Sequence, residues 1–221
     1  MTVGSRIAAA LVRLPRAQTT HVSVERDLAA KMPDGAVLLA DRWFPTHPSG
    51  GLPTVLMRTP YGRRIMGPLG RLYAERGYQV VIQSCRGTFG SEGAWEPVRN
   101  EQADGLATLE WIGAQPWFDG RVVMWGASYL GFTQWAVAQD PPNSLKALSL
   151  QVTASNFRDA VVYPGGSFAL ETMVGWLYQI KHQELGAATV LRTMLRANSV
   201  LAKGTEVLPL GKCDIAVLGE K

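Results

Sequence analysis

The 221-residue sequence is poor in the side chains that metal and redox chemistry use most, with two cysteines and three histidines. Cys85 and Cys213 cannot build a disulfide framework, and His21, His47 and His182 lack metal-ligand spacing. The sequence therefore calls for no metal and no other cofactor. Charge is sparse too: Asp, Glu, Lys and Arg make up 18% of the chain, against an ordinary share of about 25%. With 47% hydrophobic residues, that scarcity excludes a disordered chain. The net charge of +4 comes without a basic stripe carrying stacking aromatics, so no nucleic-acid partner is expected. No apolar run approaches the roughly 18 to 20 residues of a membrane span. The first twenty residues contain no acid and three arginines, Arg6, Arg13 and Arg16, around a short apolar stretch from Ile7 to Val12. That stretch is too short for a secretory signal core. Residues 1–20 read as an amphipathic helix or arm that packs on a domain. Free thiols fit a reducing, cytoplasmic setting. Cys85 stands beside Arg86 at a strand end, a setting that can lower a thiol pKa, yet no histidine lies close in sequence to support a cysteine nucleophile.

What is present is one domain's worth of core with an ordered pattern. His21 to Glu25 alternates like a half-buried strand, Asp34-Gly35 is a hairpin turn, and Ala36 to Trp43 returns. The loop from Pro45 to Pro53 follows. Then the period changes. Short apolar runs at Thr54–Met57, Tyr78–Ile82, Arg121–Trp125 and Leu145–Leu150 suit strands buried on both faces. Helices are expected between them: Pro68 to Arg76, with Pro just inside its start and Gly77 past its end; from Asn100, a cap with Glu101 and Asp104 at the positive end of the dipole, to about Ala114; and Tyr129 to about Gln139. A β-hairpin followed by strand–helix alternation predicts a mostly parallel α/β sheet with right-handed crossovers. Beyond Gln151 the alternation stops, and Phe168–Lys181 and Ala187–Asn198 look helical. The expected division is therefore an α/β domain over 21–150 and a helical cap region over 151–221.

The chemistry concentrates at Gly126-Ala127-Ser128-Tyr129-Leu130-Gly131, between a strand and a helix. A serine hydroxyl is a poor nucleophile unless it is exposed and served by a base. A sharp strand-to-helix turn lifts the serine above the sheet edge, and small residues before it permit the turn. The helix behind it aims N–H groups at a developing oxyanion, so the Tyr129 N–H is the expected donor. The plain alternative is a glycine-rich turn without catalysis, because the final glycine of the usual five-residue elbow is absent. Position after the third parallel strand, at a carboxyl end, favours the catalytic reading.

Further motifs run along almost the whole chain: Met32-Pro33-Asp34-Gly35, Ala40-Asp41 and Pro45; Arg58-Thr59-Pro60-Tyr61-Gly62; Arg86-Gly87 and Ser91-Glu92-Gly93; Glu101 and Asp104-Gly105; Trp111-Ile112, Gln115-Pro116-Trp117 and Gly120; Thr133-Gln134; Leu145-Lys146-Ala147; Tyr163 and Gly165-Gly166. In this order and spacing the sequence resembles the cocaine-esterase and Xaa-Pro dipeptidyl-peptidase group of α/β-hydrolases. The resemblance implies an α/β-hydrolase fold and a serine hydrolase of small-molecule esters or short peptide amides, working through an acyl-enzyme. It implies that the Tyr61 hydroxyl completes the oxyanion hole; physical chemistry alone leaves Tyr61 evenly placed between that role and a buried core tyrosine. It places Trp176 at an acyl pocket, where simple packing is the alternative. Arg86, Asp104 and Trp117 read as structural, since Asp104 precedes the nucleophile whereas the acid of this fold follows it. Ser84 departs from the aspartate common in the group at that point.

A triad also needs a histidine and an orienting carboxylate after the serine. His21 and His47 precede Ser128, and His182 falls in an expected helix. Members of the group continue further, so an N-terminal fragment or truncated product is expected, with a sheet edge left exposed. The competing function is a non-catalytic remnant that binds ligands without turnover. A dinucleotide-binding protein fits less well, because Arg58 to Gly62 carries no Gly-x-Gly-x-x-Gly. Oligomeric state is not indicated.

Overall fold

The computed structural model describes residue 7 and residues 9–11, 13–48, 50–185 and 187–219, without the side chains of 187 and 188. The chain divides into two compact units, Met1–Ser155 and Asn156–Lys221.

The first unit is an α/β sandwich on one six-stranded sheet of order β1-β2-β4-β3-β5-β6. The strands are β1 (Val22–Lys31), β2 (Val37–Pro45), β3 (Thr54–Thr59), β4 (Gln79–Ser84), β5 (Val122–Ala127) and β6 (Leu145–Gln151). β1 and β2 form the antiparallel hairpin, closed at Lys31 opposite Val37, and β2 joins β4 antiparallel. β4, β3, β5 and β6 are mutually parallel. The connecting helices are α1 (Arg63–Ala74), α2 (Glu101–Gly113) and α3 (Tyr129–Val137). This is the α/β-hydrolase-like arrangement that the alternating sequence predicts.

Strand alternation sorts the core into two layers. Val55, Met57, Val80 and Ile82 pack with Leu69 and Tyr73 of α1. Leu56, Val81, Val122 and Met124 pack with Leu109 and Ile112 of α2 and Val137 of α3. From β3 the chain crosses to β4 on one side, whereas from β5 it crosses to β6 on the other. The carboxyl ends of β3 and β5 thus border the point where strand order reverses, which is where open α/β sheets build their clefts.

Four expectations need correction. α1 begins at Arg63, not Pro68, and Pro68 lies inside it. Tertiary contacts hold its first turn: Arg63 donates to Asp41 at 3.0 Å, to Ser84 Oγ at 2.7 Å and to the Phe89 carbonyl at 3.0 Å, and also pairs with Asp27. Those contacts override the preference of proline for a first turn. Asn100 makes no side-chain cap bond to α2; Glu101 and Asp104 instead turn inward, to buried Arg58 and half-buried Arg86. β6 is not buried. It pairs with β5 alone among the described strands, and its residues alternate between half-buried and exposed. Ile7 and Leu11 of the N-terminal arm are 55% and 78% exposed, so those apolar side chains do not pack on the domain; residues 1–6, 8 and 12 lie outside the described residues. Residues 15–19 do dock, with Pro15 accepting from Arg76 and the Gln18 N–H donating to Glu75.

The second unit is helical: α4 (Leu170–His182), α5 (Ala187–Thr205) and α6 (Cys213–Leu218). Val174, Tyr178, Cys213 and Val217 form its own small core. No described helix is long and apolar enough to cross a membrane.

Candidate active site

β5 ends at Ala127, and α3 starts at Tyr129. Ser128 alone makes the turn, with φ 56° and ψ −123°. A non-glycine residue at positive φ is strained by about 1–3 kcal/mol and persists only where its surroundings over-determine it. They do so here. The Ser128 N–H donates to the Gln151 carbonyl at 2.9 Å and the Val152 carbonyl at 3.2 Å, and its own carbonyl accepts from Gly131 and Phe132. Two close approaches explain the glycines. A Cβ on Gly126 would stand 2.3 Å from Leu130 Cβ, and one on Gly131 2.6 Å from Thr153. The Ser128 side chain is exposed.

Tyr61 follows β3 directly. Its N–H donates to Thr59 Oγ1 at 3.1 Å, and its ring packs on the cluster that includes Leu130 of α3. The β3–β5 register pairs Leu56 with Met124; continued for three residues, it sets Thr59 level with Ala127. The segment bearing Tyr61 and the turn bearing Ser128 therefore share one rim of the sheet. Tyr129 opens α3, so its N–H lies in the first helical turn, whose donors point outward at the amino end.

The X-Pro dipeptidyl-peptidase (S15 family) sequence pattern matches residues 34–208. The chain belongs to this family. A cocaine esterase from Rhodococcus sp. (strain MB1 Bresler) is 37% identical over 163 residues, covering 71% of this chain. The chain spans 28% of that relative's length. An aminopeptidase structure from a marine sediment Thaumarchaeota archaeon superposes with TM-score 0.64 at 23% identity, over 90% of this chain and 38% of its own. A CocE/NonD family hydrolase structure from Staphylococcus aureus gives TM-score 0.51 at 24% identity, over 59% and 30%. These two structures show the shared fold.

Beneath the elbow, this S15-family chain buries a charged network that pattern reading caught only in part. Arg58, 0% exposed in β3, donates to Gln83 Oε1 at 2.9 Å and the Glu101 carbonyl at 3.0 Å, and pairs with Glu101 Oε2 at 2.7 Å. Asp104 is held in two bonds by Arg86, at 2.6 and 3.0 Å, while Arg86 also reaches Asp34 at 2.8 Å. The structural reading of Arg86 and Asp104 thus matches their placement. The bonds to Asp104 raise the Arg86 pKa further above its already high value. The Tyr129 hydroxyl donates to Glu101 Oε1 at 2.8 Å and accepts from the Val98 N–H at 2.9 Å. Burial, then the adjacent Glu101 charge, pushes its pKa up, so the phenol stays protonated. The sequence carried one overlooked signal for this network. An arginine ending an apolar strand needs a buried anion.

The lowered pKa considered for Cys85 is overturned. Its thiol is 0% exposed, and burial, reinforced by Glu101, raises its pKa well above the usual range. The histidines are also accounted for. His21 and His47 flank the Val22–Pro45 pair of the hairpin, level with the amino ends of the parallel strands and at the far sheet edge. Four strand spacings separate that edge from β5, about 19 Å. His182 Nδ1 lies 2.7 Å from the Tyr178 carbonyl within the second unit, its ring 4.5 Å from that of Tyr178. Trp176 lies in α4, half-buried, and lines an open cavity of about 560 Å³ with Glu171, Thr172, Gly175, Gln179 and Leu201. No cluster of metal-ligating side chains occurs among the described residues.

Proposed function

We propose that the chain carries the nucleophile and oxyanion hole of a serine acyl hydrolase, with Ser128 attacking an ester or short-peptide amide carbonyl. Ser128 Oγ forms the new C–O bond, its proton passes to a base, and collapse of the tetrahedral intermediate expels the alcohol or amine to leave an acyl-enzyme. The Tyr129 N–H and the Tyr61 hydroxyl receive the oxyanion. Trp176, on the wall of its own cavity, is the acyl-pocket candidate that the family resemblance offers. The reading is supported above all by the strained Ser128 backbone at the carboxyl end of β5, beside the segment that carries Tyr61. The family name and the relative named a cocaine esterase bracket the substrate class as esters and X-Pro peptides. Two free, buried cysteines accord with a reducing, cytoplasmic setting.

A second reading, ligand binding without turnover, is favoured by one observation: His21 and His47 lie at the opposite strand ends from Ser128. Without a base, the oxyanion hole and binding alone leave a residual acceleration of about 10³ to 10⁴ over water. Turnover of p-nitrophenyl acetate by the 221-residue chain decides between the readings. The hydrolase reading expects slow turnover together with an acetyl adduct that is seen by intact mass and absent in Ser128→Ala. No adduct on Ser128 refutes it, and rapid turnover means that some group here acts as base.

A further inference from the structure

The inference rests on the serine-hydrolase reading and deepens it. An oxyanion donor is useful only if it points correctly, and about 1 Å of misplacement can cost on the order of 10²-fold in rate. The Tyr129 N–H belongs to the peptide between Ser128 and Tyr129. Rotation about Ser128 ψ swings that peptide, and Ser128 sits at φ 56°, ψ −123°, a conformation it would leave if released. What opposes release on the Tyr129 side is a clamp at the far end of the ring. The hydroxyl is held between Glu101 Oε1 and the Val98 N–H, at 2.8 and 2.9 Å. Tyr129 is 2% exposed and Glu101 4%, so water does not substitute for these bonds.

Glu101 is itself fixed. Its second oxygen pairs with Arg58, which is 0% exposed, at 2.7 Å. Among the described residues the other carboxylate near Arg58, that of Asp104, is more distant. The Arg58 Nη2 lies 4.0 Å from Asp104 and makes no hydrogen bond to any described residue, because Asp104 is committed to Arg86. The chain of contacts therefore runs from the β3 arginine, through one carboxylate oxygen of Glu101 and out through the other, to the phenol of Tyr129. We infer that Glu101 is a positioning residue for the oxyanion hole: anchored by Arg58, it holds the Tyr129 ring and thereby sets the direction of the Tyr129 N–H.

The test compares the full chain with Tyr129→Phe, which keeps the ring and deletes the hydroxyl, and with Glu101→Gln, which keeps an acceptor but loses the charge that binds Arg58. The readout is the kcat/KM for p-nitrophenyl acetate divided by that for its thiono counterpart. Sulfur accepts hydrogen bonds poorly, and the ratio does not depend on how much protein is folded. Removing an aligned oxyanion donor costs about 10²–10³-fold, so misalignment should lower the ratio about tenfold in Tyr129→Phe and less in Glu101→Gln, with KM little changed. An unchanged ratio alongside a lower thermal midpoint overturns the proposal and leaves Glu101 a stability residue only. Amide exchange of a peptide spanning 126–132 is the second measurement. Faster exchange there in Tyr129→Phe, with β3 unaffected, supports the clamp, and unchanged exchange overturns it. Absence of an acetyl adduct on Ser128 after p-nitrophenyl acetate refutes the hydrolase reading instead, and the exchange result still decides whether Glu101 positions this amide.

Discussion

β3 and β6 read alike in sequence and differ in the molecule. Both are short runs rich in apolar residues, yet every residue of β3 is buried, whereas β6 alternates between half-buried and exposed. The difference is position. β3 is flanked by β4 and β5 and covered on both faces, whereas β6 has one neighbour among the described strands. Burial is thus a property of the neighbours a strand acquires, and a run such as Leu145 to Leu150 cannot announce whether it has two.

The sharpest way to break this comparison is at the charge buried under the central strand. Arg58→Met should strand Glu101 without its cation and cost about 3–5 kcal/mol, read as a shift in the urea midpoint or as failure to fold. Next comes the elbow. Gly126→Ala should cost about 1–3 kcal/mol from overpacking, because the added methyl meets Leu130 at 2.3 Å. The strands themselves can then be compared by like substitutions. Leu56→Ala in β3 should lose about 3 kcal/mol. Leu148→Ala in β6, half-buried, should lose about 1 kcal/mol on the same scale. Equal losses in urea titrations would mean that the β6 edge is covered in solution.

The smallest effect concerns pH. The bond from Arg86 holds the Asp34 carboxyl below its ordinary pKa. A depressed folded-state pKa contributes stability that is present above the unfolded value of about 3.9 and is lost as pH falls through the lower folded value. Asp34→Asn should therefore lower the thermal midpoint slightly at pH 7, with the gap closing below about pH 4. A gap that persists at pH 2 would show that the contact works through packing, not charge.

Much of this was legible in the sequence. The hairpin, the alternation of strands and helices and the elbow at Ser128 follow from turn chemistry and periodicity, which are local. The start of α1 was not legible, because Arg63 is pinned by Asp41, Ser84 and Phe89, contacts that exist only once the sheet has formed. The Arg58–Glu101–Tyr129 chain escaped for the same reason. Its members are 43 and 28 residues apart, and nothing in their local sequence pairs them. Asn100 shows the converse case: a residue type suited to capping whose following acids, Glu101 and Asp104, were claimed by arginines.

The two carbonyls that hold the Ser128 amide, those of Gln151 and Val152, belong to the end of β6 and the residue beyond it, and Val152 is 90% exposed. Segments with few buried contacts lie at the low-stability end of native-state fluctuations, and no residue of β6 is buried. The elbow is thus latched to a thinly packed strand. A brief departure of β6 would remove both acceptors of the Ser128 amide and leave the strained turn unsupported while the central strands stay intact.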